Sequence, residues 1–230
     1  MRLKSWDKLP EQMKNDQVRP YYESLRRRSA ALTAKRIFDF TAALLLLAVL
    51  SPVLLAVYLS IKAEEPREPA LFRQIRITQY GREFRICKFR TMICGADRLG
   101  TQVTTLGDSR VTRAGHFLRK YRLDELPQLW NILAGDMSFV GTRPEVPKYV
   151  AYYTKDMWAT LLLPAGITST ASITYKDEEK LLRSANNADQ TYIQQILPAK
   201  MRYNLDELAH FSFWNDLKII IRTVFEVVHP

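Results

Sequence analysis

A long apolar run extends from residue 37 to residue 61, and Asp39 is its only charged residue. The run is long enough for a helix that crosses a bilayer. It begins far from residue 1 and has no small-residue cleavage site directly after it, which argues against a secretory signal. Ser51-Pro52 lies near its middle, where proline removes a backbone hydrogen bond and bends the helix, and serine can satisfy a freed carbonyl.

Basic residues flank the apolar run on both sides, with Lys35-Arg36 before it and Lys62 after it. Because basic flanks favour the cytoplasmic side, both ends are expected to lie on one side of the membrane. We therefore assign residues 35–63 to a re-entrant membrane helix, broken at the proline, that enters one leaflet and returns. A full span and a buried soluble helix remain the alternatives. Residues 1–34 form a polar, basic N-terminal arm, a composition typical of a solvated surface.

Beyond the apolar run, the pattern predicts one β-hairpin followed by helices. Apolar and basic residues alternate in LFRQIRI (71–77) and EFRICKF (83–89), on either side of a Tyr80-Gly81 turn. The basic residues are expected to decorate one face of the hairpin: Arg73, Arg76, Arg85, Lys88 and Arg90. Helices are predicted at 109–121, from about residue 124, and at 149–163, 176–196 and 205–228. The predicted fold class is α/β, mostly α with a small β-hairpin or sheet, in a compact membrane-associated domain.

Acidic and basic residues are concentrated between residues 119 and 145. Asp124 and Glu125 are adjacent, three basic residues precede them, and Arg143 follows. Apolar residues at three-to-four-residue spacing predict a short helix with Asp124 at or near its N-cap and Pro127 in its first turn. A helix N-terminus favours negative charge and attracts phosphate or a carboxylate-bound metal. Most Asp-Glu pairs at helix starts are only caps. The loop 135–145, rich in turn residues and containing an acid and an arginine, favours a functional site here.

The chain has a formal net charge of +10. This charge predicts an anionic partner, which could be nucleic acid, an acidic membrane face or a phosphorylated substrate. Cys87 and Cys94 have neither a second pair nor a nearby histidine that would complete a zinc site, so free thiols in a reducing compartment are expected. The three histidines are scattered, which gives no support to a histidine triad.

Several motifs, taken in order, resemble the bacterial sugar transferases. These are monotopic phosphoglycosyl transferases, which start glycan assembly on polyprenol phosphate. The resemblance covers about residues 35–228 and rests on KRIFDF, the Ser51-Pro52 pair, KFRTM, DSRVTRAGHFLRK, LDELPQLWNILAGDMSFVGTRPE and FSFWNDLKIIIRTV. It implies a re-entrant helix and a catalytic domain, residues 64–230, with interfacial helices on the cytoplasmic face of the bacterial inner membrane. It also implies transfer of a sugar phosphate from a UDP-sugar to undecaprenyl phosphate, with Mg²⁺ as cofactor and UMP released, and no nucleic acid partner.

The same resemblance implies roles for individual residues. Asp124 matches the nucleophile, and Glu125 matches its partner and magnesium ligand. Two basic residues are expected at the catalytic centre, Lys88 and Arg119. Nucleotide or phosphate binding is expected of Arg143, Asp136 and Arg90. The chain departs from the family after residue 168, where STASITY replaces the common GWAQVNG, and it has Thr-Arg-Pro in place of Pro-Arg-Pro. The identity of the sugar therefore stays open.

Two other functions compete with this interpretation. A non-catalytic basic peripheral membrane protein that binds anionic lipid or nucleic acid explains the charge and the apolar run. It gives no reason for Asp124 and Glu125 to sit among arginines. A glycosyl transferase that moves only the sugar would release UDP, so the released nucleotide separates all three functions. The glycan pathway and the oligomeric state are left open by the sequence.

Overall fold

The computed structural model describes residues 3–96, 108–183 and 187–228. Its helices are α1 (Arg19–Arg27), α2 (Ser29–Glu64), α3 (Arg113–Lys120), α4 (Gln128–Ala134), α5 (Pro147–Val150), α6 (Thr170–Thr174), α7 (Glu178–Arg183), α8 (Ala188–Thr191), α9 (Leu197–Ala209) and α10 (Phe213–Val228). Its strands are β1 (Leu71–Ile77), β2 (Glu83–Phe89), β3 (Met137–Val140) and β4 (Ala165–Thr168). The predicted fold is confirmed in its coarse form, a mainly helical chain with small sheets.

The strands form two separate pairs. β1 and β2 make the predicted antiparallel hairpin, whereas β3 and β4 pair in parallel, which the sequence pattern did not predict. Four-residue strands are too short to show an alternation of their own. The second pair depends on glycine, because a Cβ on Gly166 would lie 2.2 Å from the backbone nitrogen of Gly141. This close approach fixes the chain just before Arg143.

The basic residues of the hairpin do not share one face, so that prediction was wrong. Directly paired residues of an antiparallel hairpin point to the same side. The register pairs Arg73 with Cys87 and Arg85 with Ile75, which places both arginines on one face. Arg76 pairs with Phe84, and Lys88 pairs with Phe72, so these two cations lie on the opposite face. That second face is turned toward residues 125–145.

Helix α2 contains the apolar run and has 36 residues, which makes it longer than the assigned 35–63 segment. It is the one helix of the described chain that is long and apolar enough to cross a membrane. The helix continues through Pro52, so the expected break in helical structure is not present. Ser51 Oγ donates to the Ala48 carbonyl at 2.8 Å, the carbonyl that lacks its usual donor because Pro52 has no N–H. The expected role of this serine is thereby confirmed.

One side of α2 is anchored to the rest of the protein by buried polar contacts. Asp39 accepts hydrogen bonds from Ser138 Oγ at 2.8 Å and from the Phe139 backbone nitrogen at 3.2 Å. Lys35 donates to the Val140 carbonyl at 2.9 Å and pairs with Asp216 at 2.6 Å. Because a buried charge without a partner is costly, these contacts fix the helix against β3 and α10.

The other side of α2 is an exposed apolar surface. Nine large residues on it are at least two-fifths exposed: Ile37, Phe40, Leu44, Leu45, Val49, Val53, Leu55, Tyr58 and Leu59. Helix α10 adds exposed Trp214, Ile221, Val224 and Phe225. Exposed apolar patches of this extent mark an interaction surface, and the length of α2 makes a lipid bilayer the fitting partner.

The basic N-terminal arm is folded into the body of the protein. Its apolar side chains enter one buried cluster with residues from 161–163 and from the end of α9: Leu9, Met13, Val18, Tyr22, Leu25 and Leu32. The arginines between them remain on the surface, which is why the segment looked like a solvated arm. Helix α2 also begins at Ser29, inside the assigned arm.

Candidate active site

The Asp124-Glu125 pair lies in a single 3₁₀ turn between α3 and α4. Gly115 lets α3 approach the end of β2, since a Cβ there would lie 2.1 Å from the Thr91 carbonyl oxygen. Arg122 then adopts a left-handed conformation with φ of 55°, and the turn Leu123–Glu125 follows. Helix α4 begins at Gln128, so Asp124 is not its N-cap as expected. Pro127 takes the cap position, and both carboxylates are buried.

Glu125 is held by two cations from different parts of the chain. Lys88 Nζ donates to Glu125 Oε1 at 2.9 Å, and Arg143 Nη2 donates to the same oxygen at 2.5 Å. Burial alone would raise the pKa of Glu125, but the charges of Arg143 and Lys88 outweigh it and hold this pKa well below its usual range. Glu125 is therefore ionised, and the positive charges of Lys88 and Arg143 compensate its negative charge.

Asp124 is in a different electrostatic state from its neighbour. Its side chain is buried, yet no hydrogen bond or ion pair to another described residue involves its carboxylate. Burial, and then the charge of Glu125, raise the pKa of Asp124, while Lys88, Arg119 and Arg122 oppose that rise. An ionised Asp124 therefore has oxygen lone pairs that no donor from the described residues occupies, which is the state a carboxylate nucleophile requires.

The other predicted site residues are not all brought to the Asp124-Glu125 pair. Arg119 Nε donates to Thr91 Oγ1 at 3.0 Å, close enough to Asp124 for its charge to act there. Arg90 is buried and pairs with Glu65 at 2.8 Å, at the end of α2.

Asp136 lies apart from the acidic pair. It pairs with Arg82 at 2.7 Å, just before β2 begins, whereas Lys88 is near the end of that strand. The structure thus gathers Asp124, Glu125, Lys88, Arg119 and Arg143 and leaves Asp136 outside. Nucleotide binding by Arg90 and by Asp136 stays a prediction.

Comparison with known proteins places this arrangement in a family. The family model for bacterial sugar transferases matches residues 30–230. The chain belongs to the bacterial sugar transferase family. The resemblance read from the motifs is thereby confirmed, and members of this family are membrane-associated, in keeping with the long apolar helix α2.

Curated relatives share between a third and two-fifths of their aligned residues with the chain. A UDP-glucose:undecaprenyl-phosphate glucose-1-phosphate transferase of Caulobacter vibrioides is 39% identical over 193 residues, covering 83% of this chain and 68% of the relative. A UDP-N-acetylgalactosamine-undecaprenyl-phosphate N-acetylgalactosaminephosphotransferase of Aeromonas hydrophila is 36% identical, covering 83% of this chain and 42% of the relative. A UDP-glucose:undecaprenyl-phosphate glucose-1-phosphate transferase of Escherichia coli is 34% identical, covering 84% and 39%. The chain thus spans less than half the length of the last two.

Two residues of this sugar transferase site had no predicted role there. Arg76 Nη1 donates to the Pro144 carbonyl at 3.1 Å and so supports the segment that carries Arg143. Arg122, in its left-handed conformation, adds positive charge next to the acidic pair. The role of Arg76 could have been inferred from the register of the hairpin, because the register places this arginine on the same face as Lys88. Arg122 stood beside the pair in the sequence, but nothing in the sequence indicated its backbone conformation.

The family resemblance leads us to expect a magnesium ion at Glu125. Within the described ranges, no group of three or more His, Cys, Asp or Glu side chains could enclose a metal by itself. Mg²⁺ is usually held by one or two carboxylates together with substrate phosphates and water. Glu125 supplies one such carboxylate, so the residues fit an ion that is held partly by phosphate groups, and magnesium binding by Glu125 stays a prediction.

Proposed function

We propose that this bacterial sugar transferase moves a sugar 1-phosphate from a UDP-sugar to undecaprenyl phosphate and releases UMP, the first membrane step of a glycan assembly. The observation that carries the proposal is the contrast within the acidic pair. Asp124 is buried and no described residue donates a hydrogen bond to its carboxylate, while Glu125 next to it is compensated by Lys88 and Arg143. Relatives named as transferases of sugar phosphates to undecaprenyl phosphate support the substrate class.

In the first step, an Asp124 oxygen attacks the phosphorus that bears the sugar. A new bond forms between this oxygen and phosphorus, the bond from phosphorus to the UMP oxygen breaks, and UMP leaves with that electron pair. A carboxylate can approach a diphosphate only if the negative charge of the diphosphate is offset. Lys88, Arg119 and Arg143 are placed to supply positive charge, and a bound Mg²⁺ on Glu125 would neutralise the diphosphate further.

In the second step, a phosphate oxygen of undecaprenyl phosphate attacks the phosphorus of the Asp124 adduct. The bond to the Asp124 oxygen breaks, and the carboxylate is regenerated. This sequence requires UMP to leave before the lipid reacts, which gives ping-pong kinetics. The apolar face of α2 explains how one site meets a water-soluble nucleotide and a lipid-bound acceptor, because it holds the acidic pair near the membrane surface.

Release of UMP is the direct test of the proposed reaction. Membranes that contain the protein, supplied with undecaprenyl phosphate, magnesium and a panel of UDP-sugars, are expected to release UMP with at least one sugar. Chromatography of the nucleotides makes the measurement, and membranes without the protein are the control. Release of UDP would show transfer of the sugar alone. Release of no nucleotide with any sugar would favour a non-catalytic lipid-binding protein.

The contacts of α2 support re-entrant insertion. Near its start, Lys35 contacts Val140 and Asp216. Near its end, Ile61 packs in one cluster with Phe89 and Leu118. One folded body lies on one side of a bilayer, so a helix with both ends docked on that body does not deliver them to opposite sides. The basic flanks point to the cytoplasmic side, and the lipid acceptor points to the bacterial inner membrane.

Labelling of introduced cysteines tests this topology. Ala30 and Pro66 are both exposed at the two ends of α2, so each can be replaced by cysteine in a background where exposed Cys94 is serine. Both positions are expected to react with a membrane-impermeant maleimide only in inverted vesicles, which expose the cytoplasmic face. Cys87 is buried, and the Cys94→Ser background without an added cysteine measures its residual labelling. Opposite sidedness of the two positions would refute re-entrant insertion.

A further inference from the structure

A second cluster of charged and hydroxyl groups is buried around Glu145, two residues along the chain from Arg143. Tyr192 OH donates to Glu145 Oε1 at 2.5 Å, and Lys200 Nζ donates to Tyr192 OH at 3.3 Å. Lys200 also pairs with Glu178 at 2.9 Å and lies 4.0 Å from Glu145 Oε1. Glu145, Tyr192 and Lys200 are each more than nine-tenths buried. Nothing in the proposed reaction uses this group, which we name the Glu145 network.

The Glu145 network is connected to the active site through a short stretch of backbone. Glu145 is two residues from Arg143, whose guanidinium holds Glu125. The same stretch is also fixed by β1, where the Ile77 backbone nitrogen donates to the Glu145 carbonyl at 2.9 Å and Arg76 donates to the Pro144 carbonyl. The hydrogen bond of the Glu145 side chain to Tyr192 is therefore a second attachment of this stretch, in addition to β1.

The charges of the Glu145 network are also suited to stabilising the positive charge of Arg143. Glu145 and Glu178 bring two negative charges, and Lys200 brings one positive charge. The charge of Glu125 and, to a smaller extent, that of Glu178 raise the pKa of Arg143. Burial, and then the charge of Glu145, raise the pKa of Tyr192 well above its usual range. The hydroxyl therefore stays protonated and donates a hydrogen bond to Glu145.

We propose that Glu145, Tyr192 and Lys200 are positioning residues that hold Arg143 in the geometry required to bind the diphosphate of the UDP-sugar. This inference rests on the proposed function and adds residues that support the active site without contacting the substrate. Tyr192 begins the short π-helix Tyr192–Ile196 that leads into α9, and Lys200 lies in α9 itself, far along the chain from the acidic pair. Changes in the packing of α9 are thus transmitted to the binding site through Glu145.

Steady-state kinetics of UMP release against UDP-sugar concentration test the proposal. Tyr192→Phe removes one hydroxyl and keeps the ring. It is expected to raise KM for the UDP-sugar about tenfold and to change kcat by less than about threefold, because a less ordered Arg143 weakens substrate binding more than the chemical step. Lys200→Met is expected to act in the same direction, and Lys200→Arg should restore most of the loss because it keeps the charge. Tyr22→Phe is the matched control, since it removes a buried hydroxyl bonded to the Lys4 carbonyl in the N-terminal segment.

A double-mutant cycle separates positioning from a general loss of packing. In an Arg143→Ala background, measured under single-turnover conditions, Tyr192→Phe should change the rate constant by less than about twofold, because the residue through which it acts is gone. An unchanged KM in folded Tyr192→Phe, or an equal loss with and without Arg143, would overturn the proposal. If Tyr192→Phe does not unfold cooperatively, the comparison of Lys200→Met with Lys200→Arg decides by the same criteria. A wild-type protein that releases no UMP would instead count against the proposed function.

Discussion

Replacing Asp124 with asparagine is expected to lower UMP release by several orders of magnitude. The substitution keeps the shape of the side chain and removes the negative charge that attacks phosphorus, as for other catalytic nucleophiles. Folding should change little, because no described residue hydrogen bonds to this carboxylate. The rate of UMP release, with thermal unfolding measured in parallel, makes the test. Asp206→Asn is the control, since it removes an exposed carboxylate on α9 that pairs with His210.

The covalent step can be observed by withholding the lipid acceptor. With UDP-sugar alone, the wild-type protein is expected to release at most one UMP per molecule and to gain the mass of one sugar phosphate on the peptide that contains Asp124. The Asp124→Asn variant should show neither. If Asp124 instead acted as a general base for direct attack by the lipid phosphate, no adduct would form and UMP would appear only after lipid is added. That pattern, once rapid hydrolysis of an adduct is ruled out, would refute the ping-pong mechanism and leave the overall reaction in place.

The sequence predicted those parts of the site that lie in contiguous motifs. Asp124 and Glu125 stood next to each other, and Lys88 and Arg143 fell on motif positions, so their meeting at one carboxylate agrees with the resemblance. The role of Ser51 was also predicted correctly, since its hydroxyl donates to the Ala48 carbonyl, which Pro52 leaves without a backbone donor. In each case the physical cause acts over a few residues or follows a recurring motif.

Features that depend on distant packing were not predictable in the same way. The apolar residues of the N-terminal arm, such as Met13 and Leu25, are spaced among charges, and their burial depends on a surface provided by residues 161–163 and α9. The pairing of β3 with β4 joins two strands without a visible alternation. The ion pair of Asp136 with Arg82 was likewise not predictable, because it joins two residues that are 54 positions apart in the chain.

Replacing Glu125 with glutamine is expected to be nearly as severe as the loss of Asp124, for a different reason. The amide has almost the same size, but it removes the negative charge that Lys88 and Arg143 share. These two cations already act on each other, as the charge of Arg143 adds to burial in lowering the pKa of Lys88. Without Glu125 they repel each other across a neutral side chain, and the proposed magnesium ligand is lost with the carboxylate.

The magnesium dependence of UMP release distinguishes these two losses. In Glu125→Gln, raising the magnesium concentration is expected to recover part of the rate, because mass action can refill a weakened site, whereas it cannot restore the arrangement of Lys88 and Arg143. The measurement is the initial rate of UMP release over a magnesium titration, compared with wild type. Full recovery at high magnesium would mean that Glu125 serves only to bind the ion. A variant with the wild-type rate at every concentration would remove Glu125 from the mechanism, and the cation pair around it would then be a structural contact.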